Sequence, residues 1–260
     1  EELSDDQESR SRLLKYASNL YMRLNKFYDA VMTQSKIHES EKVKEHWYAI
    51  AQSLEDEKQF QFAEQVYSAI IDLLPGETQA YLGRCVANLV QNKSIKALED
   101  LATAKKYAIS VEDRIKIAML YFQIGQAYQA KTILDEILQS SPENYEANLY
   151  KASLEQSEGN IDAANSILVK MVDLYPEDNK AIIQLANLML ANNNNDEAIE
   201  QYNKALQIDS NNAYIPYALS ICYLNKGDKN KATEYLDQAI KLEPENNSLI
   251  DIKEKVLSIN

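Results

Sequence analysis

The chain has 260 residues, of which 27 are Lys or Arg and 40 are Asp or Glu, so its net charge is −13. This excess of acid disfavours partners that carry phosphates, which include nucleic acid and anionic membrane surfaces. Apolar residues make up 45% of the chain, enough for a continuous core, whereas five Gly and five Pro are too few for an all-β fold with many turns.

The cysteine count and the hydropathy pattern give expectations about the cellular compartment and about membrane insertion. Cys85 and Cys222 are the only cysteines, so the sequence holds no disulfide framework. This is compatible with a reducing compartment, and a cytoplasmic location is favoured over a periplasmic or otherwise exported one. No run of about 18 apolar residues is present, so membrane insertion is not expected.

The first ten residues differ in composition from the rest of the chain. They read EELSDDQESR, with five acids, one base and no apolar residue beyond Leu3. Such a segment buries too little apolar surface to offset the entropy of ordering. Residues 1–10 are therefore predicted to form a disordered acidic leader.

From residue 11 onward, three residue types recur with a common period. Alanines are spaced by 33 or 34 residues, at Ala30, Ala63, Ala97, Ala130, Ala164, Ala198 and Ala232. Glycines and prolines keep the same spacing or a multiple of it, at Gly125, Gly159, Gly227, Pro142, Pro176 and Pro244. Three residue types that share one period indicate tandem structural repeats.

Each repeat predicts two helices. An apolar-periodic stretch ends near a Gly or Asn, and a second helix follows with the alanine in its first half. A small residue at that point lets two antiparallel helices cross closely. A large residue four positions later fills the space beside it, and only the first member breaks this rule: Gln34, Tyr67, Leu101, Leu134, Leu168, Tyr202 and Leu236.

The second repeat resembles the tetratricopeptide pattern W-x2-L-G-x2-Y, then A-x3-F, then P. It reads Trp47, Ile50, Ala51 and Leu54, then Ala63 and Tyr67, then Pro75. The resemblance covers about residues 11 to 246 and implies an all-α fold, a right-handed α-solenoid of about seven helix-turn-helix repeats. The repeats are placed at 11–43, 44–77, 78–110, 111–144, 145–178, 179–212 and 213–246.

The fifth repeat and the C-terminal segment each give a separate prediction. The first helix of the fifth repeat has Asn148, Lys151 and Glu155 where the pattern has apolar residues, so its register or tilt is expected to differ. Residues 247–260 predict a capping helix, because Leu249 and Val256 share one face and a last repeat needs its apolar side covered.

The resemblance also implies a binding surface. In this family the first helix of each repeat lines a concave groove, so a set of mostly apolar residues is expected there: Leu82, Val86, Leu89, Ile115, Met119, Phe122, Ile183, Asn187, Leu190, Tyr217, Ile221 and Leu224. An exposed apolar patch of this extent indicates a protein or peptide partner. The alternative is that some of these side chains only pack between neighbouring helices.

The first repeat has a different character, with six bases and three acids in residues 11–43. Arg12, Lys15, Asn19 and Arg23 share one helical face and form a candidate anion contact. Lys15 and Asn19 resemble the start of the family's carboxylate clamp. Later residues do not continue that clamp, so a solvated basic face is the other interpretation.

No catalytic, cofactor or metal motif accompanies these repeats. His38 and His46 are the only histidines and do not have the spacing of a zinc motif. The sequence thus predicts a non-enzymatic protein-interaction module, an adaptor, assembly factor or co-chaperone-like protein, without cofactor or metal. Its expected partner is a protein segment with apolar anchors and flanking acids. The alternatives are a self-associating scaffold, which would be a homo-oligomer, and an accessory domain of a larger protein.

Overall fold

A computed structural model describes residues 2–37 and 40–258, with side chains for 9–37 and 44–258. These residues form fifteen α-helices and no strand. The helices are α1 (Glu2–Arg23), α2 (Phe27–Gln34), α3 (Ser40–Asp56), α4 (Phe60–Leu73), α5 (Thr78–Val90), α6 (Ser94–Tyr107), α7 (Val111–Gln123), α8 (Ala127–Ser140), α9 (Tyr145–Ser157), α10 (Ile161–Leu174), α11 (Asn179–Ala191), α12 (Asn195–Ile208), α13 (Tyr214–Asn225), α14 (Lys229–Leu242) and α15 (Asn247–Ser258). The fold is an all-α helical repeat solenoid.

The N-terminal segment lies within the bounds of the first helix. Helix α1 begins at Glu2 and so includes residues 2–10, and the disordered leader expected from the sequence stays a prediction. The segment contains no Gly or Pro that would end a helix. Extending an existing helix adds a backbone hydrogen bond for each residue fixed, whereas starting one is costly. Residues 2–10 can therefore extend a helix that would not form from them alone.

The remaining helices follow the period of the sequence. Each of the seven predicted repeats contains two helices, and α15 lies in residues 247–260. Residues 38, 39, 259 and 260 lie outside the described part of the chain. The two helices of each repeat are joined by a turn with one residue at positive φ, and these residues are again 33 or 34 positions apart: Asn25, Lys58, Asn92, Gly125, Gly159, Asn193 and Gly227.

The seven periodic alanines have the role that their spacing predicts. All seven are fully buried, with 0% exposure. The large residue four positions later is also buried in six repeats, and Gln34 is half-buried in the first. The Gln34 side-chain oxygen accepts a hydrogen bond of 2.8 Å from the indole Nε1–H of the buried Trp47. Gln34 of the first repeat thus accepts the hydrogen bond of an indole N–H group that is buried in the second repeat.

The helices group into two compact units, Glu1–Ile133 and Leu134–Asn260, which we call the N-terminal and C-terminal units. In the N-terminal unit, α4 is central, because α2, α3 and α5 all pack on it, and α5 packs in turn on α6 and α7. A buried ion pair joins α5 to α6, where Arg84 donates from Nε and Nη2 to the Asp100 carboxylate at 2.7–3.1 Å.

In the C-terminal unit, helices that follow one another in the chain pack in sequence from α9 to α15. One core cluster lies around Leu168 and Leu185, and another around Tyr202 and Leu219. The polar residues of α9 fit this packing. Asn148 donates to the backbone oxygens of Pro142 and Asn144 at 3.0 and 2.8 Å. The polar residues of α9 therefore do not interrupt the helical structure of the fifth repeat.

Candidate functional site

The N-terminal unit contains a cavity of about 450 Å³ that opens to solvent. Most of its walls come from α3, α5 and α7, which are the first helices of three successive repeats. Its lining residues are Tyr48, Gln52, Glu55, Tyr67, Gln79, Leu82, Gly83, Val86, Lys116, Met119, Leu120 and Gln123. Most of the exposed lining is apolar. This volume falls in the range of about 300–1,000 Å³ that is typical of ligand sites in proteins.

Helical periodicity explains why these residues meet. Tyr48, Gln52 and Glu55 are separated by four and three positions, so they share one face of α3. The same spacing places Leu82 and Val86 on one face of α5, and Lys116 and Met119 on one face of α7. The cavity is therefore a place where three helix faces converge, with aliphatic and thioether side chains beside polar ones.

One wall comes from a second helix of a repeat. Tyr67 lies on α4, is buried, and reaches the cavity across the backbone of Gly83 on α5. A Cβ built on Gly83 would lie 2.3 Å from the Cζ atom of the Tyr67 ring, so any other residue at 83 would displace the ring. A glycine in the middle of a helix is the sequence signal that could have revealed this close approach.

The lining residues include two charged side chains. Glu55 is half-buried and accepts a hydrogen bond of 3.2 Å from the Tyr67 hydroxyl. Burial raises the pKa of Glu55, the hydrogen bond from Tyr67 lowers it, and the nearby Asp56 carboxylate raises it, with a net increase. Lys116 is exposed on α7. The cavity thus presents one anion and one cation beside its apolar lining.

The structure places the predicted groove residues of the N-terminal unit in different surroundings, and their binding role stays a prediction. Leu82, Val86 and Met119 line the cavity, whereas Leu89 and Phe122 do not. Ile115 is only 4% exposed and belongs to the core instead. One residue along a helix turns the side chain by about 100°, so Lys116 faces the cavity where Ile115 had been expected.

The predicted groove residues of the C-terminal unit have other neighbours. Ile183 and Leu190 pack against the core cluster around Tyr202. The Asn187 side-chain oxygen accepts hydrogen bonds from the hydroxyls of Tyr202 and Tyr214, the latter at 2.7 Å. Tyr217, Ile221 and Leu224 are half-buried on α13. The binding role of these six residues stays a prediction.

The predicted anion contact lies on α1. Arg12, Lys15, Asn19 and Arg23 are all exposed, and none lines the cavity. Large apolar side chains at neighbouring positions of the same helix are 57–75% exposed: Leu13, Tyr16 and Leu20. Their spacing of three or four residues places them on one face. Helix α1 thus presents an exposed apolar stripe beside its bases.

The described residues hold neither a candidate metal site nor a helix suited to cross a membrane. Within them, no group of three or more His, Cys, Asp or Glu side chains is arranged to hold a metal ion. No described helix combines the length and the apolar character that crossing a membrane requires. His38, one of the two histidines considered from the sequence, lies outside the described residues.

Comparison with known proteins places the chain in a family. Residues 115–144 match one family model described as a tetratricopeptide repeat, and residues 155–204 and 189–254 match another with the same description. Together these matches cover half of the chain.

Curated relatives share similar stretches at low identity. Human protein O-mannosyl-transferase TMTC3 is 25% identical over 202 residues, which are 76% of this chain and 20% of that protein. TPR repeat-containing protein MJ1428 of Methanocaldococcus jannaschii is 24% identical over 185 residues, 69% of this chain and 29% of that protein. The chain therefore spans less than a third of the length of these relatives.

Solved structures share the fold. A tetratricopeptide repeat protein from Parabacteroides merdae has a TM-score of 0.69 at 16% identity, over 96% of this chain and 100% of that one. PilW, described as a type IV pilus biogenesis factor, has a TM-score of 0.66 at 18% identity, over 81% of this chain and 98% of that one. The period, the helices and the family models agree, and the chain belongs to the tetratricopeptide repeat family.

Proposed function

We propose that this protein binds a segment of another protein in the cavity formed by α3, α5 and α7, with a large apolar side chain of that segment as the anchor. The tetratricopeptide fold is a protein-interaction scaffold, which supports a binding role of this kind. The observation that carries the proposal is the solvent-open cavity of about 450 Å³ beside Leu82, Val86 and Met119. An apolar side chain that leaves water for such a site contributes roughly 1.5–3 kcal/mol.

The proposal concerns binding and includes no catalysis. The sequence carries no recognised catalytic motif, and the transferase relative is matched over only 20% of its length. We also propose that the basic residues of α1, the candidate anion contact, orient an acidic end of the bound segment. Exposed charges of this kind affect the association rate more than the affinity.

The test is a selection from a random-sequence dodecapeptide display library. Wild-type protein should enrich peptides with a large apolar residue. Met119→Asp places a carboxylate in the cavity and should abolish this enrichment, because burying an unpaired charge is costly. Val90→Asp is the matched control, since Val90 is exposed on α5 and does not line the cavity. Circular dichroism should show that both variants keep their helices.

Two results would contradict the proposal. One is a wild-type selection without enrichment of any apolar peptide. The other is a folded Met119→Asp variant that enriches the same peptides as the wild type, which would place binding elsewhere on the protein.

An exposed apolar surface on α1 supports a second candidate function, which is self-association. The exposed stripe of Leu13, Tyr16 and Leu20 on α1 favours a scaffold that self-associates through its N-terminal helix. Light scattering at several concentrations should then show a mass that rises with concentration and returns to the monomer in Leu20→Lys. Ile95→Lys, at a position 76% exposed on α6, serves as the control. A concentration-independent monomeric mass would exclude this function.

A further inference from the structure

Three carboxylates that are buried or half-buried in the described part of the chain are paired with a cation, whereas Glu55 is not. Asp100 is held by Arg84 at 2.7 Å, Glu64 by Lys93 at 2.6 Å, and Glu155 by Lys151 at 3.4 Å. For Glu64, burial raises the pKa, but hydrogen bonds from Lys93 and Gln91 outweigh burial and the net pKa is lowered. Pairing of this kind offsets the cost of taking a charge out of water.

Glu55 lacks such a partner within the described part of the chain. No ion pair among the described residues includes Glu55, and its one hydrogen bond there comes from the neutral Tyr67 hydroxyl. The carboxyl group is half-buried and lines the cavity. A partly desolvated acid with no cation beside it therefore faces the space in which the proposed segment binds.

The position of Glu55 is defined by its neighbours. Gly83 leaves room for the Tyr67 ring against the backbone of α5, and the Tyr67 hydroxyl then holds the Glu55 carboxylate at 3.2 Å. The other charged lining residue, Lys116, lies on α7 and forms no ion pair with Glu55 in the structure. The carboxylate is thus presented at a fixed place beside the apolar residues Leu82 and Val86.

We propose that the cavity selects segments that carry a Lys or Arg side chain close to the apolar anchor, with the base paired to Glu55. This inference rests on the proposed function and adds the charge of the preferred partner. A cation from the partner would replace the water that Glu55 loses on binding, and a charge-assisted hydrogen bond is about twice as strong as a neutral one. Arg could also engage both carboxylate oxygens at once.

The experiment extends the peptide selection to matched variants. The library is selected in parallel on wild type, Glu55→Gln and Lys116→Gln, with Met119→Asp as the cavity control. Wild type should enrich Lys or Arg within a few positions of the apolar anchor. Glu55→Gln should keep the anchor and lose the base, whereas Lys116→Gln, which removes the other charge of the cavity, should keep both.

A double-mutant cycle gives the quantitative readout. A synthetic peptide from the wild-type selection is compared with its Lys→norleucine form, on wild type and on Glu55→Gln. Either single change should weaken binding about 10- to 100-fold, the range for hydrogen bonds to charged groups, and the second change should then add little. The norleucine peptide tests the pair on unaltered protein, so the result does not depend on the folding of Glu55→Gln.

The outcomes separate the two proposals. Apolar anchors without enriched bases, or additive effects in the cycle, would overturn the role of Glu55 and leave the binding site intact. Identical selections on wild type and folded Met119→Asp, or no enrichment on wild type, would overturn the site itself and the inference with it.

Discussion

The ring of Tyr67 lies against the backbone of Gly83, so close that a Cβ at residue 83 would overlap three ring atoms at 2.3–2.7 Å. Tyr67 belongs to α4 and Gly83 to the next helix, α5. This contact brings a buried aromatic residue into the wall of the cavity and carries its hydroxyl to Glu55. The shape of the site therefore depends on the absence of one side chain.

Gly83→Ala should close part of the cavity, because the added methyl group displaces the Tyr67 ring. We expect a loss of about 1–3 kcal/mol from overpacking, against a gain of up to about 1 kcal/mol in helix propensity. Peptide binding should fall, and urea denaturation measures the stability change. In a Tyr67→Leu background the same substitution should be neutral or stabilising, and a loss of equal size there would contradict this account.

Lys58→Gly should stabilise the protein. Lys58 has a φ of 60° at the turn between α3 and α4, a conformation that costs an L-residue with a side chain roughly 1–2 kcal/mol. Three of the equivalent turns have Gly and three have Asn. The control is Lys170→Gly at an exposed position inside α10, which should destabilise by about 1 kcal/mol. The prediction fails if both variants lose stability alike in thermal denaturation.

Lys151→Met should destabilise the C-terminal unit by up to about 3–5 kcal/mol, because it removes the Lys151 cation that lies 3.4 Å from the buried Glu155 carboxylate. Adding Glu155→Leu should restore most of the loss. Lys204→Met, which removes an exposed ion pair with Glu200, should cost no more than about 0.5 kcal/mol. Chemical denaturation of the three variants measures these differences, and equal effects of the two Lys→Met changes would refute the distinction.

The two neighbouring residues Val256 and Leu257 test the packing of α15. Val256 is 4% exposed and Leu257 is 54% exposed, and α15 packs on α14. Val256→Asp should lower stability by about 2–4 kcal/mol, because it buries an unpaired charge. Leu257→Asp should change it by less than about 0.5 kcal/mol. Melting curves that shift equally for both variants would show that α15 does not cover the last repeat.

The raised pKa of Glu55 predicts a pH dependence of stability. Because burial raises this pKa above its ordinary value of 4.5, the folded protein holds the proton more tightly than the unfolded chain does. The contribution of Glu55 to stability is therefore greatest at low pH, and it is lost as pH rises from the ordinary value through the raised one. Glu55→Gln should lack this decline, so wild type should lose melting temperature relative to the variant as pH rises above the ordinary pKa of 4.5. Parallel curves would contradict the prediction.

Much of the fold could be predicted from sequence because it depends on local features that recur. A small residue is needed wherever two helices cross, so the alanine period revealed the repeat, and all seven alanines are fully buried. Gly and Asn at the turns follow from the need for positive φ. Lys58 shows the limit of that rule, since nothing in its residue type indicates a left-handed turn.

The site itself depended on tertiary structure. The period identified the first helices of the repeats, and Leu82, Val86 and Met119 of the predicted groove line the cavity, but rotation by one residue places Lys116 there and Ile115 in the core. Likewise, no local pattern indicates that Tyr67 reaches past Gly83 to Glu55, because that contact depends on how closely α4 and α5 approach.

The buried polar residues also separate what the sequence determines from what the tertiary structure decides. The sequence by itself determined that Asn148, Lys151 and Glu155 interrupt an apolar pattern, and that Arg84 and Asp100 are charged. The Lys151–Glu155 pair joins residues four positions apart within α9, so their spacing along the chain places them together. Only the packing of α5 on α6 decided that Asp100 pairs with Arg84, sixteen residues away. Helix formation is specified by neighbours along the chain, whereas the pairing of charges on different helices is specified by the distance between those helices, which the whole core sets.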